Sequence, residues 1–575
     1  MFKYIAVILA LSNAVLCNFD LLILHNNDIH GRFEETERNS GTCLPAHKNK
    51  SCVGGFARTA HMIRKYRQEA GDGVGPNVLY LNAGDTFIGT VWYTIHTWNI
   101  SSAFMNLLRP DVQSLGNHEF DKGTDELYRY VSALNFPTIG GNVDFSKVPK
   151  LIEKLPKSVI LDVNGTRVGV IGHVTTETQK ISSPGETIFL DEVQTVKEES
   201  ERLDKEGVKI IIVLGHSGYV KDQEIAEKVP LVDVVVGGHT NTFLWNGAQP
   251  DTETVEDPYP KIVTQPSGKQ VPVVQAYAYT KYLGRLNATF DENGDLIKFS
   301  GQPILLDSTI PQDDDVLQLL DVYRPAVDEV NKEQVGTLQV TLDNNKCRTE
   351  ECNYGNLIAD ANVLYKASIS PETWTNAPIG LMQGGGIRMS VMPGVNQGVT
   401  RGEILGTLPF GHQIVTLTLK GSALVKTLEL GIRGNGETSR GEFLQVSGLQ
   451  IVYDRSKPAM SRVVSVKTRC GSCNIPIYED IDLDKSYTII TTDFLSNGND
   501  GHYILKEQGW NKQQQDLGDV DILTWYFNTY SPVYAEVQGR IKFVNIEDHK
   551  ESSAVTIMCT NISFVIVIMV IKYFL

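Results

Sequence analysis

Residues 111–121 read DVQSLGNHEFD. A short apolar run, Val112 to Leu115, breaks at Gly116, and an amide, an imidazole and two carboxylates follow: Asn117, His118, Glu119 and Asp121. Alone, the stretch fits either a capped strand-to-helix turn or one edge of a metal site. The neighbouring apolar runs weigh on the choice. LLILHNNDIHG delivers Asp28 and His30, VLYLNAGDTF delivers Asp85, IIIVLGHSG delivers His216 and VVVGGHTN delivers His239. These runs are continuous in Val, Ile and Leu, the pattern of strands buried on both faces. GGFARTAHMIRKYRQEA and VQTVKEESERLDKEG, which lie between them, read as helices by spacing and charge. The expected fold class is therefore α/β.

In an open α/β sheet, ligands bind beyond the carboxyl ends of the strands, so these side chains are expected to share one crevice. A single strand-end Asp or His more often caps a helix than binds metal. Five such ends in order, most beside glycine, favour the metal site. Asp, His and Asn together suit borderline divalent ions such as zinc or manganese rather than calcium. A carboxylate can bridge two ions about 3.5–4 Å apart, the arrangement used for in-line phosphoryl displacement. Asp85, the lone carboxylate on its strand, is the candidate bridge.

The 575 residues are too many for one ordinary core. The alternating α/β pattern covers residues 18–310. An acidic, amphipathic segment containing Pro325 makes 311–338 a helical linker, with the proline as kink or stop, and 339–548 form a second mixed domain. A net charge of −16 argues against nucleic acid as partner and requires a local positive charge for any anionic substrate. Residues 1–17 have the pattern of a signal peptide. Residues 549–575 fit a GPI-attachment signal with Ser552 or Ser553 modified, so the expected membrane partner is a lipid anchor; a transmembrane anchor is the alternative. Outside these ends the cysteines form three close pairs, Cys43 with Cys52, Cys347 with Cys352 and Cys470 with Cys473, read as local disulfides of an extracellular protein. The spacing of Cys470 and Cys473 also suits a redox or zinc half-site, but no second pair of that spacing completes zinc coordination. Sequons at Asn49, Asn99, Asn164 and Asn287 agree with the extracellular route.

NDIHGRFE, GDTFIGT, GNHEFD, GHSG and GGHTN, in this order, resemble the calcineurin-like metallophosphoesterases. NLIADA, GGGIR, LPFGH and FLSNGNDG narrow the resemblance to the 5′-nucleotidase and apyrase family, nearest to ecto-5′-nucleotidases. It implies a four-layer N-terminal domain, a β-sandwich flanked by helices, and a C-terminal α/β substrate-binding domain that rotates about the linker. It also implies two divalent ions, zinc first, with manganese or cobalt as alternatives. Asp28, His30 and Asp85 would hold one, with Asn241 as a weak further ligand; Asp85, Asn117, His216 and His239 would hold the other. His118 would stabilise the transition state and Asp121 would orient it. Phe410 and Phe494 would sandwich the base, although aromatic residues of this kind are more often core. Asp500 would take the ribose, and Arg348 and Arg388 would anchor polar groups of the nucleotide. Gln383 stands where ecto-5′-nucleotidases usually carry Asn and some apyrases carry Gln. AMP hydrolysis is thus the first expectation and ATP/ADP hydrolysis the alternative; a homodimer stays open.

Overall fold

The computed structural model describes residues 18–544 apart from positions 39, 44, 371–372, 394–397 and 435–440. The expected signal peptide and the lipid-attachment residues Ser552 and Ser553 lie outside the described residues. No helix among those described is long and apolar enough to cross a membrane. The chain divides into two compact units, with the border at Pro325/Ala326 and the short segment Gly89–Val91 grouped with the second.

Two large sheets build the first unit. In one, the strands Phe19–Asn26, Asn77–Asn82, Val112–Ser114 and Thr138–Ile139 run parallel, and the antiparallel strands Tyr282–Phe290 and Leu296–Gly301 extend the edge beside Phe19–Asn26. The other sheet is ordered Lys261–Thr264, Gln270–Val274, Val234–Val236, Ile210–His216, Thr166–Val174 and Ser158–Val163. Leu21, Ile23, Leu79 and Leu81 of the first sheet share one core with Val170, Ile212, Val213 and Val235 of the second, so the two sheets form a sandwich. The uninterrupted apolar runs are explained by this packing, because each of those strands is covered on both sides. The helix Phe56–Gly71 buries its whole first turn, Phe56 to Ala60, and then Met62 and Ile63.

The expected linker is mostly the helix Asp314–Lys332, which begins on two acidic residues suited to its N-terminus. Pro325 does not stop it: the helix continues through the proline, and the border between the units falls there. Arg64 ties the helix start to the first unit through Asp313 and Asp315, each at 2.7 Å.

In the second unit a five-stranded sheet is ordered Leu444–Ser447, Ile379–Gln383, Ser486–Thr492, Gln413–Lys420 and Trp510–Gly518. A four-stranded sheet contains Leu449–Tyr453 and Val463–Arg469. The three expected cysteine pairs are disulfide-bonded: Cys43 to Cys52, Cys347 to Cys352 and Cys470 to Cys473. Because Cys473 is bonded to Cys470, neither thiol is free to ligate zinc, and the half-site reading of that pair falls away. Cys352 does more than close a loop. It caps the helix Asn353–Ser368, its Sγ accepting the Gly355 N–H at 3.1 Å, a role that its spacing from Cys347 did not suggest. Asn49, Asn99 and Asn164 are exposed, and Asn287 is half-buried.

Candidate active site

Asp28 and His30 follow the strand Phe19–Asn26, and Asp85 follows Asn77–Asn82. Their two turns are stitched by backbone hydrogen bonds: Asp28 N–H to Gly84 O, His30 N–H to Asp85 O and Gly31 N–H to Thr86 O, each 3.0 Å. Glycines allow the next turn to close in. A Cβ on Gly84, itself at φ +80°, would lie 2.5 Å from Gly116 N; a Cβ on Gly116 would lie 2.2 Å from Asp85 Oδ1. Asp85 can therefore accept the His118 N–H at 2.9 Å.

The side chains converge as the strand ends suggested. Asp85 Oδ2 lies 2.8 Å from His216 Nε2, 3.7 Å from His30 Nε2 and 4.0 Å from His118 Nε2. Asp28 Oδ1 is 3.7 Å from both His30 Nε2 and His216 Nε2, and Asp28 Oδ2 accepts the His239 N–H at 2.9 Å. The donor atoms form two groups, His30–Asp85–His118 and Asp85–His216–His239, with Asp85 common to both. The buried side-chain oxygens of Asn117 and Asn241 have no hydrogen-bond partner. Buried amide oxygens left without a donor are the exception in folded proteins, and here they border a set of nitrogen and oxygen donors. The residues present fit a pair of divalent ions.

The carboxylates and imidazoles of this cluster act strongly on one another. Burial alone would raise the Asp85 carboxyl, but the charges of His216 and His118 hold it well below the usual carboxylate range. Asp28 is lowered in the same way, burial being opposed first by His216 and then by a hydrogen bond from His30. Burial opposes the His216 charge too, yet the carboxylates of Asp85 and Asp28 push it up to about 10. His239, lowered to about 4 by burial and by His216, is neutral and available as a ligand.

At the edge of the cluster, His118 Nδ1 donates to Asp121 Oδ2 at 2.6 Å, and Asp121 Oδ1 accepts from Ser182 Oγ at 2.6 Å. Asp121 fixes the imidazole, and Ser182 fixes Asp121. Nothing in the sequence pointed to Ser182, which lies far along the chain. Glu119 was also missed, although it sits within GNHEFD. Its carboxylate is fully buried and accepts four backbone N–H groups: Asp85 at 3.0 Å, Thr86 at 2.8 Å, Phe87 at 3.2 Å and Gly116 at 2.7 Å. Burial and the nearby Asp85 charge nonetheless push its pKa up to about 7.

The nucleotide-binding candidates lie in the second unit. Gln383 ends the strand Ile379–Gln383, is buried, and accepts from Thr492 Oγ1 at 3.4 Å. The following glycines pack tightly. A Cβ on Gly384 would lie 3.1 Å from the Arg348 Cα, and Gly385 N–H donates to Gly441 O at 3.0 Å. Asp500 Oδ2 lies 3.2 Å from where a Cβ on Gly441 would stand. The Arg388 guanidinium lies 5.9 Å from the Phe410 ring centre. Phe410 and Phe494 are half-exposed rather than core, and between them in ring contacts stands a residue not singled out from sequence, His412.

Residues 21–243 match the calcineurin-like phosphoesterase model, and residues 334–507 match the 5′-nucleotidase C-terminal domain model. A protein named 5NUC from Lutzomyia longipalpis is 43% identical over 91% of this chain and 93% of its own. The chain belongs to the 5′-nucleotidase family. An apyrase from Tabanus yao is 38% identical, covering 92% of this chain and 94% of its own; a Mus musculus 5′-nucleotidase is 38% identical, covering 94% and 93%. The solved structure of a 5′-nucleotidase precursor from Thermus thermophilus is 34% identical, has a TM-score of 0.83, and covers 92% of this chain and all of its own. As a family member the chain is a hydrolase, and its metallophosphoesterase domain implies divalent metal ions.

Proposed function

We propose that this 5′-nucleotidase family member is an extracellular, metal-dependent enzyme hydrolysing nucleoside 5′-monophosphates, AMP first, to nucleoside and phosphate. The observation that carries the reading is the pair of donor groups sharing Asp85, with the His118–Asp121 pair at their edge. Asp28, His30 and Asp85 would hold one divalent ion, and Asp85, Asn117, His216 and His239 the other, zinc being the first candidate. When bound, such ions lower the pKa of water and offset charge on phosphoryl oxygens.

The chain's own side chains supply the rest. Asp121 holds His118 through Nδ1 and so orients the ring toward the reacting group. His118 stabilises the negative charge that grows on the phosphoryl and leaving oxygens, and Asp121 orients it for that role. The phosphorus–ester oxygen bond breaks, the nucleoside leaves with a proton on its 5′ oxygen, and the oxygen of water ends on phosphate. Arg348, Arg388, Gln383 and Asp500 bind the polar parts of the nucleotide, and Phe410 and Phe494 its base. The three disulfides support an extracellular site.

A second reading, hydrolysis of ATP and ADP to AMP, is favoured by Gln383 and by the similarity to a relative named apyrase. Phosphate release from AMP, ADP and ATP, with products separated and with or without a chelator, decides between them. Chelator-sensitive conversion of AMP to adenosine, with ADP and ATP left intact, is the expected result. Run-down of ATP and ADP that stops at AMP would favour the second reading, and no metal-dependent release would overturn both.

A further inference from the structure

The motif LPFGH contributes a side chain that the proposed mechanism leaves unused. The His412 ring is stacked on Phe410, with centroids 5.5 Å apart and planes 18° apart. It also contacts Phe494, at 5.1 Å and 36°. Asp493 Oδ1 lies 3.4 Å from His412 Nδ1, and the same oxygen accepts the Phe494 N–H at 2.8 Å. One carboxylate oxygen thus sets both the imidazole and the backbone of the second aromatic residue. Burial would raise the Asp493 carboxyl, but its contact with His412 lowers it. The main chain is also pinned, because Asp519 N–H donates to His412 O at 2.9 Å.

With Asp493 facing Nδ1, the proton of a neutral His412 ring sits on that nitrogen. A neutral imidazole that gives its Nδ1 proton to a carboxylate carries a bare lone pair on Nε2, so that edge accepts and cannot donate. The His412 side chain remains 15% exposed, so a ligand can reach it. A base lying against Phe410 and Phe494 meets a ring already in contact with both.

We propose that His412 is a specificity-determining residue whose Nε2 accepts a hydrogen bond from the exocyclic amino group of the nucleobase, selecting adenine over its keto analogue hypoxanthine. The proposal rests on the nucleotidase reading and names the base class that site prefers. An amino group donates to Nε2, whereas a keto oxygen sets one acceptor against another. In a partly exposed site one such hydrogen bond is worth about a tenfold preference.

The test is steady-state kinetics with AMP, IMP and ribose 5-phosphate, which has no base. The wild type is expected to favour AMP over IMP in kcat/KM by about tenfold. His412→Phe keeps a planar ring without the acceptor and should bring the ratio near unity. His412→Lys, a donor-only side chain, should move the preference toward IMP. The proposal is overturned if the wild type does not discriminate or if either variant keeps the wild-type ratio. A parallel decline of all three substrates in His412→Phe keeps the wild-type ratio and overturns the proposal in the same way. Wild type that releases phosphate from none of them would overturn the nucleotidase reading itself, and the proposal with it.

Discussion

Glu119 offers the sharpest test of how the active site is held. Its Oε1 accepts the N–H groups of Thr86 and Phe87, and its Oε2 those of Asp85 and Gly116. Glu119→Gln keeps the shape but replaces one oxygen by an amide NH2, so two buried N–H groups face a donor. A buried N–H left without its acceptor costs about 1–3 kcal/mol, and the loss of two costs about 2–6 kcal/mol. For a unit of this size that lowers Tm on the order of 10 °C. Because the Asp85 N–H and the Gly116 N–H belong to the turns carrying Asp85 and Asn117, metal affinity should weaken alongside stability. Differential scanning calorimetry and metal content after dialysis against limiting zinc check both effects. A variant that melts within about 1–2 °C of wild type and keeps its metal would refute the reasoning, since the four contacts would then contribute little.

His118→Ala should lower kcat for AMP by about a hundredfold or more with metal content unchanged, read by phosphate release and elemental analysis. Ser182→Ala should give a smaller loss through a less constrained Asp121, and an effect as large as that of His118→Ala would contradict this ordering. Asp222 is buried and its carboxyl is raised by burial to about 8, so between about pH 5 and pH 8 the folded state keeps a proton that the unfolded chain releases. Wild-type stability therefore falls across that window while Asp222→Asn escapes the loss, and the Tm difference should open in the variant's favour as pH rises. Exhaustive chelation should abolish phosphate release yet leave far-ultraviolet circular dichroism near that of the loaded protein; collapse of the spectrum would show that the site is not preformed.

The first unit was legible because its strands announce themselves. Covered on both faces, they need continuous Val, Ile and Leu, and each ends where polarity returns, at Asp28, Asp85, Asn117, His216 and His239. The residues that the structure gathers around Asp85 were therefore visible before any geometry. Of the two readings of Pro325, kink or stop, the stop fails, because the helix Asp314–Lys332 runs through it. The supporting residues were hidden for another reason. Glu119 serves backbone groups, Ser182 reaches Asp121 only through the fold, and His412 matters because Phe410 and Phe494 flank it. Residue type marks what can bind a metal, but not what holds the binder.

The backbone itself shows how far the site is built in advance. Asp28, His30, Asp85, His239 and Asn241 all have positive φ, between 49° and 78°. A non-glycine residue held there costs about 1–3 kcal/mol, so such residues persist only where surrounding contacts over-determine them. Here the contacts are identifiable: the paired turns after Phe19–Asn26 and Asn77–Asn82, the four N–H groups on Glu119, and His239 N–H on Asp28. Relaxing any of these turns to a commoner conformation would swing a ligand away from Asp85. The strain is therefore set against hydrogen bonds that do not involve metal. The two donor groups keep their shape because the polypeptide holds them, so a metal ion would find its ligands already placed.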